Sequence, residues 1–310
     1  MSIPWLYQLF MSVDLNKSTN FKKDYFKKDL PKNAEWALYF QSFYHDFTEN
    51  FFAQFEKTKK VAKPSIWKCL GDEVIFYVKI TDSEDVEVYV DCLMKAIRLY
   101  NASLSDKKKK LPCQGTVWGA GFPIRNRTIK TPHTKGKKVV YDEVNDFIGF
   151  DMDLGFRISK HSKPERLVVS LPIAYILSLN HYDRLRYYDS VDIKGIDKQY
   201  PIFWVSSSEN ERPEIHWHMQ CASTSVKEFC EKKFDTKGDS AFSKPFIEGD
   251  KSHKCNEIPE AMVELKKQLD EADELSSRNT LEGKETKTKS KKTPPKKVER
   301  RLNELAETLR

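Results

Sequence analysis

The sequence predicts a mixed α+β fold with a ferredoxin-like βαββαβ core and a helical, partly disordered C-terminal extension. Three observations support this prediction. Short apolar runs typical of strands alternate along the chain with longer segments that have helical spacing. A Gly-Asp pair separates two adjacent strand-like runs, which indicates a hairpin. Beyond about residue 207 the alternation weakens, and residues 277–297 are rich in Lys, Thr, Ser and Pro, a composition that does not build a core.

The first part of the chain supplies the opening elements of this core. Residues 6–14 form an apolar run that predicts a buried strand. Residues 34–56 predict a long helix, because phenylalanines recur at intervals of three and four at Phe40, Phe43, Phe47, Phe51 and Phe55. Residues 65–71 and 73–80 predict the two strands of a hairpin that has Asp72 at its tip.

The second part completes the predicted domain. Residues 84–103 predict a helix with one apolar face, and residues 114–122 predict a buried strand. We predict a helix over 144–160 that is entered through the sequence Asp-Phe-Ile-Gly. A strand, a helix and a final strand follow at 166–170, 172–180 and 200–205. Further on, residues 257–275 have the apolar spacing of a helix.

The formal net charge of +7 reflects the C-terminal tail rather than the core. Between Lys284 and Arg301 the chain carries nine Lys and Arg against two Glu, which leaves the rest close to neutral. This basic tract lacks the interleaved aromatic residues that stack on bases, so we expect neither stable nucleic-acid binding nor membrane binding. An anchoring role for the tail is the alternative. Because the sequence has neither a membrane-length apolar run nor a secretory signal, we expect a cytoplasmic protein.

Two aspartates carry the candidate chemistry. Asp14 ends the first strand and precedes a short polar loop, whose backbone N–H groups are suited to phosphate oxygens. Asp72 lies at the hairpin tip. Each residue alone is common as a cap or turn former. Together, two carboxylates on neighbouring strand ends can bind two divalent cations beside a triphosphate.

Four motifs, in order, resemble the class III adenylate/guanylate cyclase domain over about residues 6–206. They are SVDLNKST, WKCLGDEV, DFIGFDMDLGFR and VDIKG. The resemblance implies a class III cyclase core and an enzyme that converts a nucleoside triphosphate to a 3′,5′-cyclic mononucleotide and pyrophosphate. It also implies two divalent cations, Mg²⁺ or Mn²⁺, as cofactors.

The resemblance also implies roles for individual residues. Asp14 and Asp72 correspond to the two metal-binding aspartates. Arg157 corresponds to the arginine that stabilises charge in the transition state, and Asp153 stands where the family has an asparagine that orients the ribose. The residues expected to contact the triphosphate are Leu15, Asn16, Lys17, Ser18, Thr19 and Lys194. The residues expected around the base are Lys68, Asp146 and Tyr44.

Departures from the family pattern favour one subfamily. Asp153 replaces the usual asparagine, and Ile148 replaces a tryptophan near the base-reading aspartate. With the aromatic residues Phe43 and Tyr44 on the long helix, these departures resemble the Pycsar-type pyrimidine cyclases of bacterial anti-phage signalling. The expected substrate is then CTP or UTP, and the expected downstream partner is an effector with a cyclic-nucleotide-binding domain.

Two alternatives stay open. Lys68 and Asp146 resemble an adenine-reading pair, which favours a conventional adenylate or guanylate cyclase. A non-catalytic nucleotide-binding homologue is the other alternative, although such domains usually lose one metal-binding aspartate and both are present here.

The resemblance covers a single cyclase domain, whereas the family's active site forms between two. One domain supplies the metal-binding aspartates, and the other supplies the base-reading and transition-state residues. A homodimer with composite active sites is therefore expected.

The expected organisation is a nucleotidyl cyclase domain at 1–206, a C-terminal extension ending in a helix at 207–276, a basic disordered linker at 277–297 and a short amphipathic helix at 298–310.

Overall fold

A computed structural model describes most of the chain. The described residues are 4–26, 35–58, 60–104, 111–135, 138–140, 145–206, 223–235, 241–260 and 262–272. The strands assigned within them are β1 (Leu6–Leu15), β2 (Ser65–Leu70), β3 (Glu73–Ile80), β4 (Cys113–Phe122), β5 (Asn126–Lys130), β6 (His133–Lys135), β7 (Lys138–Val140), β8 (Asn145–Gly149), β9 (Arg166–Val169), β10 (Leu185–Val191) and β11 (Tyr200–Ser206). The helices are α1 (Ser18–Phe26), α2 (Glu35–Thr58), α3 (Asp85–Ala102), α4 (Phe150–Ile158), α5 (Leu171–Leu179) and α6 (Ser223–Phe234).

A seven-stranded sheet in the order β10-β11-β9-β4-β1-β3-β2 forms the centre of the fold. Within it, the strands β4, β1, β3 and β2 pair with one another antiparallel in that order, as a βαββαβ chain of ferredoxin-like type requires. Strand β9 then joins β4 in parallel, and β11 and β10 extend that side. The predicted mixed α+β fold is thereby confirmed. The edge strand β10 was not predicted.

The sheet separates two apolar clusters, because successive side chains of a strand point to opposite faces. On β1, Leu9 and Met11 belong to the larger cluster, whereas Phe10 belongs to the smaller one. Five of the six phenylalanines of α2 are buried in the larger cluster, and Phe52 packs against it partly buried. The ring centroids of Phe51 and Phe76 lie 4.8 Å apart. The smaller cluster includes Trp118 on β4, where α4 packs.

The helix predicted over 144–160 is shorter than expected. Residues 145–149 form strand β8, which pairs with β5, and α4 begins only at Phe150. The alternation of the buried Phe147 with Ile148, which is 48% exposed, is that of a strand. Gly149 then turns the chain with a φ of +142°, and a Cβ there would lie 2.4 Å from the Arg125 carbonyl oxygen. The prediction was wrong for 145–149 because the glycine marks a strand-to-helix turn and not the interior of a helix.

The C-terminal residues that the structure describes pack onto the core. Helix α6 contacts α5, and residues 262–272 are helical, within the predicted segment 257–275. The predicted linker 277–297 and helix 298–310 lie outside the described residues. Every helix within the described ranges is too short or too polar to cross a lipid bilayer.

Asp250 attaches this C-terminal segment to the start of α3. Its carboxylate is buried and accepts hydrogen bonds from the backbone N–H groups of Ser83 and Cys255, both at 2.8 Å, and from the Ser83 hydroxyl at 3.0 Å. Burial alone would raise the pKa of Asp250, but these hydrogen bonds lower it below its usual value of 3.8.

Asp250→Ala should lower the free energy of unfolding by about 1–3 kcal/mol at pH 7, because it leaves buried N–H groups without acceptors. Since the folded-state pKa is depressed, this contribution is present above about pH 4 and is lost as the pH falls through the folded-state value. Urea denaturation of both proteins from pH 7 downward measures it. The same substitution at the exposed Asp235 is the control, and an equally small effect at both positions would contradict the proposed attachment.

Candidate active site

Asp14 and Asp72 meet at one end of the sheet. Asp14 lies near the end of β1 and is paired with Glu73 on β3 and with Gln114 on β4. Asp72 immediately precedes β3, and its carbonyl oxygen accepts a hydrogen bond from the Leu15 backbone N–H at 3.3 Å. The pairing of β1 with β3 in this register thus makes neighbours of two aspartates that come from separate motifs.

The site has a strongly negative character. Burial, followed by the charges of Glu73 and Asp72, raises the pKa of Asp14 to about 7, while the Gln114 amide at 3.5 Å from its Oδ2 lowers it in part. Burial also raises the pKa of Glu73, although the Ser12 hydroxyl donates a hydrogen bond to that carboxylate. Three acidic side chains near one strand end favour a bound cation.

The donor set fits Mg²⁺ or Mn²⁺. Carboxylate oxygens are hard ligands, and Mg²⁺ commonly takes one or two of them together with water and substrate phosphate oxygens. In the part of the chain that the structure describes, no group of three or more His, Cys, Asp or Glu side chains could hold a metal ion by itself. An ion bound to Asp14 and Asp72 would therefore complete its shell from water and phosphate.

The segment between β1 and α1 has a compact geometry. The Asn16 backbone N–H donates to the Pro112 carbonyl oxygen at 2.8 Å, so this amide is already engaged. Lys17 adopts a left-handed conformation with a φ of +63°, and α1 starts at the buried Ser18. Because the first N–H groups of a helix have no intrahelical acceptor, Ser18 and Thr19 are the loop positions best suited to an anion.

Arg157 and Lys194 lie in direct contact. Arg157 is on the last turn of α4, and its guanidinium donates a hydrogen bond to the Lys194 carbonyl oxygen. Its Nη2 lies 3.9 Å from Oδ2 of the exposed Asp153. Gly195 has a φ of +80°, and a Cβ there would lie 3.0 Å from Arg157 Nη1. Glycine at position 195 thus permits both the turn and the close approach of the guanidinium.

Lys68 and Asp146, which come from different motifs, also form a pair. The Lys68 ammonium donates to Asp146 Oδ1 at 2.7 Å and lies 3.9 Å from the ring centroid of Trp67. About 30% of each side chain is exposed. On β8, Phe147 packs in the smaller apolar cluster, while the neighbouring Asp146 reaches Lys68 on β2. The two groups proposed to read the base are therefore adjacent and reachable from solvent.

Tyr44, on α2, contacts the hairpin tip between β2 and β3. Its hydroxyl donates a hydrogen bond to the Gly71 carbonyl oxygen, beside Asp72. In this structure Tyr44 therefore fixes the hairpin tip to α2, and its contact with a base stays a prediction. Phe43 is only 1% exposed and packs on Tyr100 in the core, so it does not line an open pocket.

The site residues fall into two groups within one chain. The first contains Asp14, Asp72 and the start of α1, and the second contains the pairs Lys68–Asp146 and Arg157–Lys194. Among the described residues, no hydrogen bond or ion pair joins a side chain of the first group to one of the second.

Three residues near the aspartates were not predicted from the sequence. Glu73 and Gln114 are the cross-strand partners of Asp14, and Lys22 on α1 lies 3.7 Å from Asp72 Oδ1. Glu73 adjoins Asp72 in the sequence, so its position was a usable signal. The positions of Gln114 and Lys22 depend on strand register and helix packing, which the sequence does not reveal.

Comparison with known proteins gives similarity in shape only. The chain matches no protein-family model and no curated protein. Solved structures similar to it include the adenylyl cyclase CyaB from P. aeruginosa, with 13% identity, a TM-score of 0.48 and coverage of 68% of this chain and 98% of that one. The guanylyl cyclase Cya2 has 13% identity, a TM-score of 0.46 and the same coverage. The guanylate cyclase domain of RhGC from Catenaria anguillulae, in complex with GTP, has 9% identity, a TM-score of 0.47 and coverage of 66% and 98%. At these values the similarities assign no activity to this chain.

Asp14→Asn should make the metal-free protein more stable at pH 8. The folded-state pKa of about 7 lies above the usual 3.8, so the wild-type protein loses stability as the pH rises from about 4 to about 7. An asparagine cannot ionise, and the variant should gain about 1–3 kcal/mol at pH 8 and nothing at pH 4.

Urea denaturation in a metal chelator at the two pH values measures this gain. The matched control is Asp153→Asn, which alters an exposed carboxylate and should change stability little at either pH. A gain for Asp14→Asn that is independent of pH would contradict the inferred crowding of acids.

Proposed function

We propose that this chain is a nucleotidyl cyclase, which converts a nucleoside triphosphate to a 3′,5′-cyclic mononucleotide and pyrophosphate. The observation that carries the proposal is the convergence of Asp14 and Asp72 beside the N-terminus of α1. When bound there, two divalent cations would supply charge neutralisation for the triphosphate and activation of the 3′-hydroxyl.

The chain's own groups would position and stabilise the triphosphate. The backbone N–H groups at the start of α1 suit phosphate oxygens, and the exposed Lys194 adds a positive charge. Arg157 is suited to the oxygens on which charge develops during transfer. In the free protein its guanidinium is held by the Lys194 carbonyl oxygen, so it is already positioned before substrate arrives.

For the base, we propose a pyrimidine, so that the substrate is CTP or UTP. The support is the replacement of the family asparagine by Asp153 and of the family tryptophan by Ile148. The Lys68–Asp146 pair at 2.7 Å resembles the adenine-reading pair of the family, and this resemblance favours the alternative of an adenylate or guanylate cyclase. Production of a second messenger for an anti-phage effector is part of the pyrimidine proposal.

We further propose that the enzyme is a homodimer with two composite sites. The division of the site residues into two groups that no described contact joins supports this arrangement, because one protomer would supply Asp14 and Asp72 while its partner supplies the base-reading residues and Arg157.

Incubation with each of the four ribonucleoside triphosphates and Mn²⁺, followed by mass analysis, tests the activity and the base together. Cyclic CMP or cyclic UMP should form, and Asp14→Asn and Asp72→Asn should each reduce the rate at least about 100-fold, as expected for the loss of a metal ligand. Cyclic AMP or cyclic GMP alone would contradict the pyrimidine assignment. No cyclic product from any triphosphate would favour a non-catalytic nucleotide-binding protein.

Mixing two inactive chains tests the composite site. Asp72→Ala and Arg157→Ala should each be inactive alone. The mixture should recover up to about a quarter of wild-type activity, because about half of randomly paired dimers are mixed and each mixed dimer has one intact site out of two. The rate is measured after the chains have been allowed to exchange. If the mixture elutes as dimers in size-exclusion chromatography and still recovers no activity, the shared site is excluded.

A further inference from the structure

Lys22 occupies a position that none of the roles assigned so far explains. It lies on α1, one turn after Ser18, and its ammonium nitrogen is 3.7 Å from Asp72 Oδ1. The same nitrogen lies 5.1 Å from the ring centroid of Phe40. The Lys22 side chain is 30% exposed and that of Asp72 is 24% exposed, so solvent and ligands can reach the pair.

The ammonium group lies beside a carboxylate that the proposed function gives to a metal ion. A single positive charge and a divalent cation repel each other at such distances and compete for the same oxygens. Lysine is suited to exchanging partners, because its charge is compact and its stem is flexible. The Phe40 ring, whose centroid lies 5.1 Å from the ammonium nitrogen, adds a weak cation–π attraction to this position.

A second partner for this ammonium would lie close by if the triphosphate binds at the start of α1. Lys22 and the first N–H groups of α1 belong to the same two turns of helix, and the phosphate oxygens proposed to bind those N–H groups carry negative charge. Lysine binds phosphate readily as a point charge. A cation that binds the Asp72 carboxylate would therefore displace Lys22, whose ammonium group could then bind a nearby phosphate oxygen.

We propose that Lys22 is the counter-ion of Asp72 in the metal-free protein and becomes a ligand of the triphosphate when the cation binds. The inference rests on the proposed function. It makes the two ligands interdependent: the cation alone must displace Lys22, whereas cation and triphosphate together give Lys22 a new partner. By thermodynamic linkage, each then strengthens the binding of the other.

Lys22→Met should therefore change two affinities in opposite directions. Without nucleotide, Mn²⁺ should bind about threefold more tightly, because a partly exposed competing charge is gone. With Mn²⁺ saturating, pyrophosphate should bind about tenfold more weakly, because a charge-assisted contact is lost. Titration calorimetry, with Mn²⁺ alone and then with pyrophosphate, measures both affinities.

Two further variants make the comparison specific. Lys23→Met removes an exposed charge from the neighbouring position of α1, and both affinities should stay within about twofold of wild type, as expected for an exposed charge. Lys22→Arg keeps the charge and should retain most of the pyrophosphate affinity. If Lys22→Met fails to fold, Lys22→Arg still tests the role of this charge, because it alters α1 less.

The possible failures are distinguishable. If wild-type protein binds Mn²⁺ and Asp72→Asn abolishes that binding, but Lys22→Met shifts both affinities in the same direction or neither, the role of Lys22 is refuted while the metal site stands. If wild-type protein does not bind Mn²⁺, the proposed function fails and the role of Lys22 fails with it.

Discussion

The antiparallel pairing of β1 with β3 is the constraint on which the site depends. This register sets Asp14 opposite Glu73 and brings Asp72 to the same strand end. A shift by one residue would turn the apolar side chains of β1 to the wrong faces of a sheet that is covered on both sides. The buried side chains Leu9, Phe10 and Met11 therefore fix the position of the carboxylate as well as the core.

The same packing produces an electrostatic cost at the strand end. Asp14 is partly buried beside two other acids, and its pKa is raised to about 7. The nearby counter-charge is Lys22, at 3.7 Å from Asp72. Such an arrangement weakens the fold in the absence of a cation, which is common where a protein keeps groups ready for a ligand.

The sequence was most informative where period and turn chemistry agreed. The phenylalanine stripe of α2 and the Gly-Asp turn between β2 and β3 were predicted correctly, because each pattern has one physical solution. The segment 145–149 was misjudged, since a short apolar run before Gly149 suits a strand or a helix, and only its pairing with β5 decides between them. The proximity of Asp14 to Asp72 and the ion pair of Lys68 with Asp146 required a family pattern, because residues so distant in sequence carry no local signal of proximity. Lys22 and Gln114 could not be found in this way, since their roles arise from packing alone.

In the proposed arrangement, Asp14 and Asp72 share divalent ions next to a triphosphate. Anomalous diffraction from crystals grown with Mn²⁺ and a triphosphate analogue that cannot cyclise tests it most directly. Anomalous peaks should lie within about 2.0–2.3 Å of carboxylate oxygens of both aspartates, with phosphate oxygens completing the shells. Manganese bound elsewhere, or a triphosphate seated away from these two carboxylates, would contradict it.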